Sequence, residues 1–591
     1  MSNYRAPVDD IKFILQNVLN IEALWQSLPA LSEVDFDTAD AILQEAAKIS
    51  QNVIAPLNRE ADEEGCHWSE HGVETPVGFK EAYQTLCEGG WCGLGGNPEY
   101  DGMGMPKSLV AAVEELIQGS CMSFGLAPML TAGACLAIDA HAETALKQRY
   151  LPKMYSGEWS GAMDLTEPHC GTDLGLIRTK AVPNEDGSYS VSGTKIFITW
   201  GEHDMTENII HLVLAKLPEA PAGTKGISLF LVPKFHVTDD GTLGERNTVF
   251  CGSLEKKMGI KASATCVMNY DGAKGWLVGE ANKGLACMFT MMNYERLTVG
   301  VQAQGVAENA YQAAVAYARD RLQSRSVTGA KNPDKEADPI IVHADVRRML
   351  MSMRVLNEGS RAFYLYVAQW LDIQKYAEDE AAREKAMAMV ALLTPVAKAF
   401  MTDVSLDAAI LGQQVFGGHG YIREWGQEQH IRDIRITQIY EGTNGIQAMD
   451  LVGRKTVQTN GELLQYLIAE INQFIDSIPA DSDLKLNGSA LKNATAELQA
   501  ITQKIISECK VQPDVLGAVA VDYLHFIGYV IYGYLWLQMA NAAKTEGTGQ
   551  FQHKVALANY YFQKHLPQTL SLQRKIEAGV SELLTLSDDQ F

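Results

Sequence analysis

Glu441 is the residue in this 591-residue chain most plainly placed to do proton chemistry. It follows the apolar-alternating run from Ile434 to Ile439 and stands directly before Gly442, where the backbone can turn and come close to a ligand. A carboxylate there could act as a general base, although a lone glutamate in a turn is far more often a solvated surface group. Three other stretches change that balance. Leu165–Asp173 (LTEPHCGTD) offers hydroxyls and open backbone N–H groups, which suit a polar ring edge or a phosphate, but alone it would read as a capped turn. Ser192–Thr199 ends a probable strand with Phe197 and Thr199 at i, i+2 spacing, able to stack on and hydrogen-bond to a flat heterocycle, or simply to be core plus edge. Gln413–Tyr421 ends a helix in glycines whose backbone can lie against a ligand, as an ordinary helix cap also can.

The elements that must position these stretches are read from periodicity. Residues 1–160 are patterned mainly as helix. Ile42, Leu43, Ala46, Ile49 and Val53 form one stripe that Pro56 stops, with acidic residues ahead of it where a helix N-terminus favours them. Gly93–Gly104 is too rich in glycine for a helix, and no β-branched strand leads into it as a dinucleotide fingerprint would need. Over 161–282 the pattern becomes short β-rich runs, including Ser188–Gly193, Ile209–Leu214 and Ile227–Val232, separated by Pro, Gly and Asp turns. This predicts a small β-barrel or sandwich. Helical patterning returns over 283–455, in Ala303–Leu322, His343–Gln374 and Ala382–Phe416, the last with a kink-prone Pro395; these lengths fit a bundle. From 456 to 591, helices around Leu463–Ile475, Leu491–Ile506 and Val515–Ala543 predict an appended helical domain. The expected fold is mainly α with a central β-domain. Tyr523–Met539 is apolar enough to raise the question of a membrane, but Asp522, His525 and Gln538 interrupt it and no basic flank sets a topology. A buried bundle helix is expected there, not an integral span.

A chain of this length exceeds one hydrophobic core, and 47% apolar content is ample for several. The formal net charge of −23 argues against broad binding to nucleic acid or anionic membranes, which rests on clustered Lys and Arg. The ten cysteines are scattered, with no C-x-x-C pair and no Cys/His cluster at metal-ligand spacing. No metal site is expected, and most cysteines read as small apolar residues of a reducing compartment. The first ten residues have no basic stretch followed by an apolar one, so the expectation is a cytoplasmic protein without a signal peptide.

Taken in order, five stretches resemble the acyl-CoA dehydrogenases, a flavoprotein family with helical, β and helical domains. They are Leu-Thr-Glu-Pro-x-x-Gly-Thr-Asp at 165–173, Gly-x-Lys-x-Phe-Ile-Thr at 193–199, Lys-Met-Gly-Ile-Lys-Ala-Ser-Ala-Thr at 257–265, Gln-Val-Phe-Gly-Gly-His-Gly-Tyr at 414–421 and Ile-Tyr-Glu-Gly-Thr-Asn at 439–444. The Tyr-Arg-Ala-Pro-Val opening, the length and the extra C-terminal helices resemble a longer branch of that family. That branch includes 3-methylmercaptopropionyl-CoA dehydrogenases and other bacterial fatty acyl-CoA dehydrogenases.

The resemblance implies FAD as cofactor and Glu441 as catalytic base. It implies that Leu165 and Thr166 meet the flavin ring, that Thr172 lies near the phosphates of FAD and CoA, and that Phe197 and Thr199 cover the ring's other side. Arg321 matches the arginine that holds the FAD pyrophosphate of a neighbouring subunit. Gln414 and Gly418 match the segment receiving its adenosine end, and Thr443 a further FAD contact. Glu295 and Arg296 match the helix beside the acyl thioester, with Gly442 next to the base. The chain also departs from the family. Arg321 lacks the usual following Phe-Gly, Gly445 replaces a side chain that often contacts FAD, and Glu295 occupies the position from which a minority of members draw their base. Those members lack a carboxylate at the Glu441 position, and this chain has one.

In the implied reaction the α-proton leaves to Glu441 and the β-hydride to the flavin, while backbone N–H groups near Glu441 and a ribityl hydroxyl bind the thioester oxygen. Expulsion of water by substrate would raise the base's proton affinity. The expected partners are an acyl-CoA, of medium or long chain or 3-methylmercaptopropionyl-CoA, and an electron-transferring flavoprotein, with the chain as a homodimer. An acyl-CoA oxidase using O2 shares these motifs, but the C-terminal Ser-Asp-Asp-Gln-Phe carries no peroxisomal address. A nucleic-acid-binding flavoprotein of the same fold should have a basic C-terminal domain, and residues 461–591 show no Arg/Lys stripe.

Overall fold

The structure, a computed structural model, describes residues 4–238 and 240–591, so the first three residues of the opening segment lie outside it. The described chain forms two compact units. One contains Lys48–Pro106 and Ser120–Thr298; the other contains the segment ending at Ala47, Lys107–Gly119 and Val299–Phe591.

The first unit is built on seven strands: β1 (Trp159–Asp164), β2 (Lys180–Pro183), β3 (Tyr189–Thr199), β4 (Asn208–Lys216), β5 (Ile227–Pro233), β6 (Val249–Leu254) and β7 (Thr265–Val278). They run in the order β6-β7-β3-β2-β4-β1, and β5 pairs with both β7 and β4, so that β7-β3-β2-β4-β5 closes on itself as a small barrel. The closure is thinnest between β2 and β4, which share the single pair Lys180↔Lys216. β4 and β5 are buried almost throughout, in keeping with their unbroken apolar runs. The helix α1 (Met122–His141) packs on β1, where Thr131 Oγ1 accepts the Gly161 N–H at 3.0 Å. Gly161 is required there, because a Cβ would lie 2.5 Å from the Ala134 methyl.

The 37-residue helix α2 (Gly284–Asp320) starts in the first unit and ends in the second. The second unit continues with α3 (Ala344–Tyr376), α4 (Glu380–Val415), α5 (Gln427–Arg435) and α6 (Asn444–Asp450). After these come α7 (Glu462–Ser477), α8 (Lys485–Val511), α9 (Val515–Thr545), α10 (His553–Lys564) and α11 (Gln568–Ala578). Pro395 lies inside α4 without ending it, and Asp379 caps that helix by accepting the Ala382 N–H at 2.9 Å. The C-terminal helices share this unit's core. Gly528 of α9 faces the Phe400 ring so closely that a Cβ would sit 2.4 Å from it, and the Trp536 indole donates to the Val355 carbonyl at 3.0 Å. A buried ion network joins them to the bundle: Arg361 of α3 meets Glu115 (2.6 Å), Glu308 (3.1 Å) and Asp10 (2.6 Å), and the fully buried Lys554 of α10 meets Asp10 and Glu358.

The apolar-alternating run from Ile434 to Ile439 begins at the end of α5, which runs to Arg435, and continues in a 3-10 turn over Ile436–Gln438, with Ile434 and Thr437 buried. One local expectation is corrected. The stripe of residues 42–53 is buried at Leu43 and Ala46, while Ile42, Ile49 and Val53 are half-buried; a π-helical turn over Ser50–Ile54 breaks the period, and Pro56 does not stop the helical path, since it lies in a 3-10 turn over Ala55–Leu57 that leads into a helix over Asn58–Glu64. Among the described residues, three helices are apolar enough by length and composition to cross a membrane: Met122–His141, Glu380–Tyr421 and Val515–Thr545. The apolar windows of these helices are 78%, 78% and 61% buried by the protein itself.

Candidate functional site

In the first unit the loop Leu165–Asp173 grows out of the end of β1. Asp164, the last residue of that strand, accepts the Tyr270 hydroxyl at 2.6 Å and lies 3.2 Å from His211 Nδ1, all three buried. Leu165 is buried, Thr166 half-buried, and Thr172 exposed. A reciprocal pair of backbone hydrogen bonds between Glu167 and Cys170 closes the turn at 3.0 Å. The loop is then tied to β3. Ile196 N–H donates to the Thr166 carbonyl at 2.9 Å, and Lys195 Nζ donates to the Leu165 carbonyl and to Glu167 Oε1, both at 2.9 Å. Leu165 and Thr166 are thereby brought beside Phe197 and Thr199.

Lys195 and Glu167 received no role from the sequence reading, yet they form the anchor of this region. Lys195 is fully buried, and burial pulls its proton affinity down against the pull of Glu167. Burial would raise the Glu167 carboxyl, but Lys195 and the hydrogen bonds from Thr179 and Arg178 outweigh it and hold the group below its ordinary range. The signal was present in the sequence. Val191, Gly193 and Lys195 alternate on one side of a strand, so Lys195 occupies an inward position where a cation needs a partner. Glu167, His169 and Cys170 also place ligand-type atoms within 4.8 Å of one another, which the sequence spacing did not suggest; Glu167 is already engaged by Lys195.

Phe197 is not in regular strand conformation. Its φ is +61°, the pairing of β3 with β7 slips between Cys266 and Met268, and the ring is left 58% exposed while Ile198 beside it is buried. Thr199, two residues on, is half-buried. Glu295 and Arg296 lie one turn from the unit's end of α2. Glu295 is fully buried, and a Cβ on Gly133 of α1 would lie 3.0 Å from its Oε1. Arg296 donates to Asn293 Oδ1 at 3.3 Å and lies over the Phe289 ring.

In the second unit Glu441 stands in a turn between the 3-10 segment ending at Gln438 and α6. Its own φ is +57° and that of Gly442 is +85°, so the left-handed bend includes the glutamate itself. The Gln447 side-chain amide donates to the Glu441 carbonyl at 3.0 Å, and a Cβ on Gly442 would meet that amide at 2.7 Å. Thr443 caps α6 through its hydroxyl. The Tyr440 hydroxyl donates to Gln302 at 2.5 Å. Glu441 and Gly442 are half-buried and Thr443 exposed.

The same unit gathers Arg321, Gln414 and Gly418 around one tyrosine. Tyr317, one turn before Arg321, stacks on Phe416 at 4.1 Å, and its hydroxyl lies 2.9 Å from His419 Nδ1; His419 in turn stacks on Trp425 at 4.5 Å. The Arg321 N–H donates to the Tyr317 carbonyl, so the helix end carrying the arginine and the turn carrying Gly418 share this cluster. Gly417 has φ +58°, and no atom lies within 4 Å of where a Cβ on Gly417 or Gly418 would stand. In the first unit the exposed Phe197 ring offers a face that fits the flat ring of FAD. In the second unit, taken by itself, the open glycine turn at 417–418 and the exposed Arg321 are of the kinds that suit a phosphate-bearing ligand.

Family models for acyl-CoA dehydrogenases match nearly the whole chain: the N-terminal domain over 37–158, the middle domain over 162–273, the C-terminal domain over 282–455 and an acetyl-CoA dehydrogenase C-terminal-like domain over 467–587. The chain is 42% identical over 600 residues to a 3-methylmercaptopropionyl-CoA dehydrogenase of Ruegeria pomeroyi, covering 99% of this chain and all of that one. It is 34% identical, over the full length of both, to a broad-specificity linear acyl-CoA dehydrogenase of Mycobacterium tuberculosis. A crystal structure of an acyl-CoA dehydrogenase complexed with FAD from Bacillus anthracis has the same fold, with TM-score 0.75 at 21% identity over 96% of this chain and 91% of that one. The chain belongs to the acyl-CoA dehydrogenase family of FAD-dependent oxidoreductases.

Proposed function

We propose that this protein oxidises an acyl-CoA thioester between its α and β carbons to the trans-2-enoyl-CoA, with Glu441 as the base. The observation that carries the assignment is the left-handed glutamate. A non-glycine residue held at φ +57° by a side-chain amide on its carbonyl is a local cost of the kind that clusters at active sites. Glu295 is fully buried, whereas Glu441 is half-buried at a turn. When bound, FAD supplies the two-electron acceptor for the hydride leaving the β-carbon. Glu441 takes the α-proton, and the backbone N–H groups beside it and Gly442 stabilise the charge that develops on the thioester oxygen. Arg296 and Thr172 serve the thioester and CoA phosphate ends. By the family resemblance Leu165, Thr166, Phe197 and Thr199 would meet the flavin ring, Arg321, Gln414 and Gly418 would hold the pyrophosphate and adenosine end of the FAD of a neighbouring subunit, and Thr443 would add a further FAD contact.

Glu441→Gln is expected to retain FAD and bind acyl-CoA while losing roughly 10²–10⁴ in the rate of anaerobic flavin bleaching. Bleaching at wild-type speed would move the role to Glu295. A panel of acyl-CoAs that includes 3-methylmercaptopropionyl-CoA ranks substrates, and a linear fatty acyl chain of medium or long length, or the methylmercapto substrate, is expected to bleach fastest. The names of the two relatives support a linear acyl chain or the methylmercapto substrate. Electrons are assigned to an electron-transferring flavoprotein; stoichiometric hydrogen peroxide in air would instead make the protein an oxidase. We assign a cytoplasmic homodimer without an integral span. The burial of the three apolar helices and ten free cysteines support this, and sedimentation as a tetramer would contradict the dimer.

A further inference from the structure

The turn that carries Glu441 is held at both ends by one carboxylate, and that carboxylate is held by a C-terminal helix. Three residues after Glu441, Asn444 donates through Nδ2 to Asp403 Oδ1 (2.7 Å), Thr402 Oγ1 (2.9 Å) and the Ala399 carbonyl (3.2 Å), all on α4. Its Oδ1 accepts Lys398 Nζ at 2.8 Å. Three residues before Glu441, Gln438 donates to the same Asp403 Oδ1 at 2.7 Å. The other oxygen of Asp403, Oδ2, lies 2.8 Å from His525 Nε2 on α9. The imidazole is fixed from a second side, edge-on to the Phe400 ring at 5.4 Å, and α9 sits close to α4 there because Gly528 faces that same ring. Asp403 and His525 are each 23% exposed, so the contact is partly shielded from water.

We propose that His525 is a positioning residue for the base: by fixing Asp403 it keeps Oδ1 aimed at Gln438 and Asn444, and so holds the 438–444 turn that presents Glu441. This rests on the reading of Glu441 as the base. A left-handed glutamate persists only where its surroundings over-determine it. A carboxylate gripped on one oxygen can rotate about its side-chain bonds, whereas one gripped on both oxygens by donors from two elements cannot. The C-terminal helices thereby become part of the catalytic apparatus, through a chain of His525, Asp403 and Asn444.

The test is stopped-flow flavin bleaching by acyl-CoA in the full-length holoprotein. His525→Ala is expected to keep FAD and to lower the limiting rate about 10-fold, the scale of a modest misplacement of a reacting group, while half-saturation by acyl-CoA changes by less than about 2-fold. His525→Gln places an amide N–H near the Nε2 position and is expected to restore most of that loss. A merely structural role would not show this split or this rescue. His525→Ala combined with Asn444→Ala is expected to be little slower than the slower single variant, since both act through Asp403. If His525→Ala does not accumulate as a yellow protein, Asp403→Asn reads the same contact at constant shape and is expected to lower the limiting rate similarly. A wild-type rate in His525→Ala or Asp403→Asn, or no rescue by Gln, overturns the proposal. Glu441→Gln is run beside them. Wild-type bleaching there removes the base assignment itself, whereas a dead Glu441→Gln with a wild-type His525→Ala removes only the positioning role.

Discussion

The loop at 165–173 and the turn at 438–444, which carry residues proposed for the flavin edge and the base, are held by opposite means. The loop is locked by a formal ion pair between fully buried Lys195 and nearly buried Glu167, backed by hydrogen bonds from Thr179 and Arg178. The turn that carries Glu441 is held on its backbone and flanks by the neutral amides of Gln447, Gln438 and Asn444, with the charges of Asp403 and Lys398 a residue further away. A loop that offers only backbone and hydroxyl groups keeps the same charge throughout a turnover, so a strong buried pair can fix it. The amide contacts of the turn fall on the backbone carbonyl of Glu441 and on the side chains three residues to either side of it.

The largest expected effect breaks the loop's side of this contrast. Lys195→Met leaves Glu167 buried without its cation, and removing one partner of a buried pair costs about 3–5 kcal/mol. Thermal or denaturant unfolding should show that loss together with weaker FAD retention. Adding Glu167→Gln should recover much of it, because a pair replaced on both sides is close to neutral. Unfolding of Lys195→Met at the wild-type midpoint would mean that the loop is held by something other than this pair.

A smaller effect comes from pH and bears on the strand that feeds the loop. His203 Nε2 lies 2.9 Å from the Ser160 hydroxyl on β1, while its Nδ1 accepts the Met205 N–H at 3.2 Å, an arrangement that suits a neutral ring. Burial first, and the charge of Lys234 second, push its proton affinity down to about 3. The folded protein therefore binds fewer protons than the unfolded chain between that value and the ordinary histidine range near 6.5. Stability is full above about pH 6.5 and falls as the pH drops through that window, by about 2–3 kcal/mol at pH 4.5 for this one group. His430 in the second unit, pushed down by burial to about 4, adds to the same slope. Unfolding at pH 7.5 and 4.5 should show the loss, and His203→Asn should reduce it; an unchanged slope in that variant would place His203 outside the acid response.

The contrast also explains what the sequence disclosed. The long helices and the barrel strands were legible because their periodicity is local, and Tyr523–Met539 reads as a bundle helix because His525 interrupts it; the same residue turns out to contact Asp403. The five motifs marked the stretches but not the conformations within them. Phe197 at φ +61° looks like any aromatic strand residue in the sequence, since the bulge that exposes it comes from slippage against β7. The left-handed bend was expected at Gly442, and Glu441 shares it because Gln447, six residues on, returns to its carbonyl. Asp403 and His525 stand 122 residues apart, and nothing in either neighbourhood announces the pairing. Lys195 could have been found, because its inward position on an alternating strand demands a partner.

The smallest expected effect concerns the second unit's Gly417–Gly418 turn, proposed to meet the cofactor, and asks whether it, like the turn of Glu441, is held by contacts of modest strength. Tyr317→Phe keeps the stacking on Phe416 and the edge contact with Trp425, and removes only the hydroxyl that lies 2.9 Å from His419 Nδ1. A single half-buried hydrogen bond contributes about 0.5–1.5 kcal/mol. If the bond steadies the Gly417–Gly418 turn, its loss should raise the dissociation constant for FAD about 3–10-fold by fluorescence titration and leave the unfolding midpoint of the FAD-free protein nearly unmoved. A drop in stability as large as that of Lys195→Met would show that this turn belongs with the locked loop and not with the amide-held base. An unchanged FAD affinity would place the hold on the turn in the stacked rings of Phe416, Tyr317, His419 and Trp425 instead of the hydroxyl.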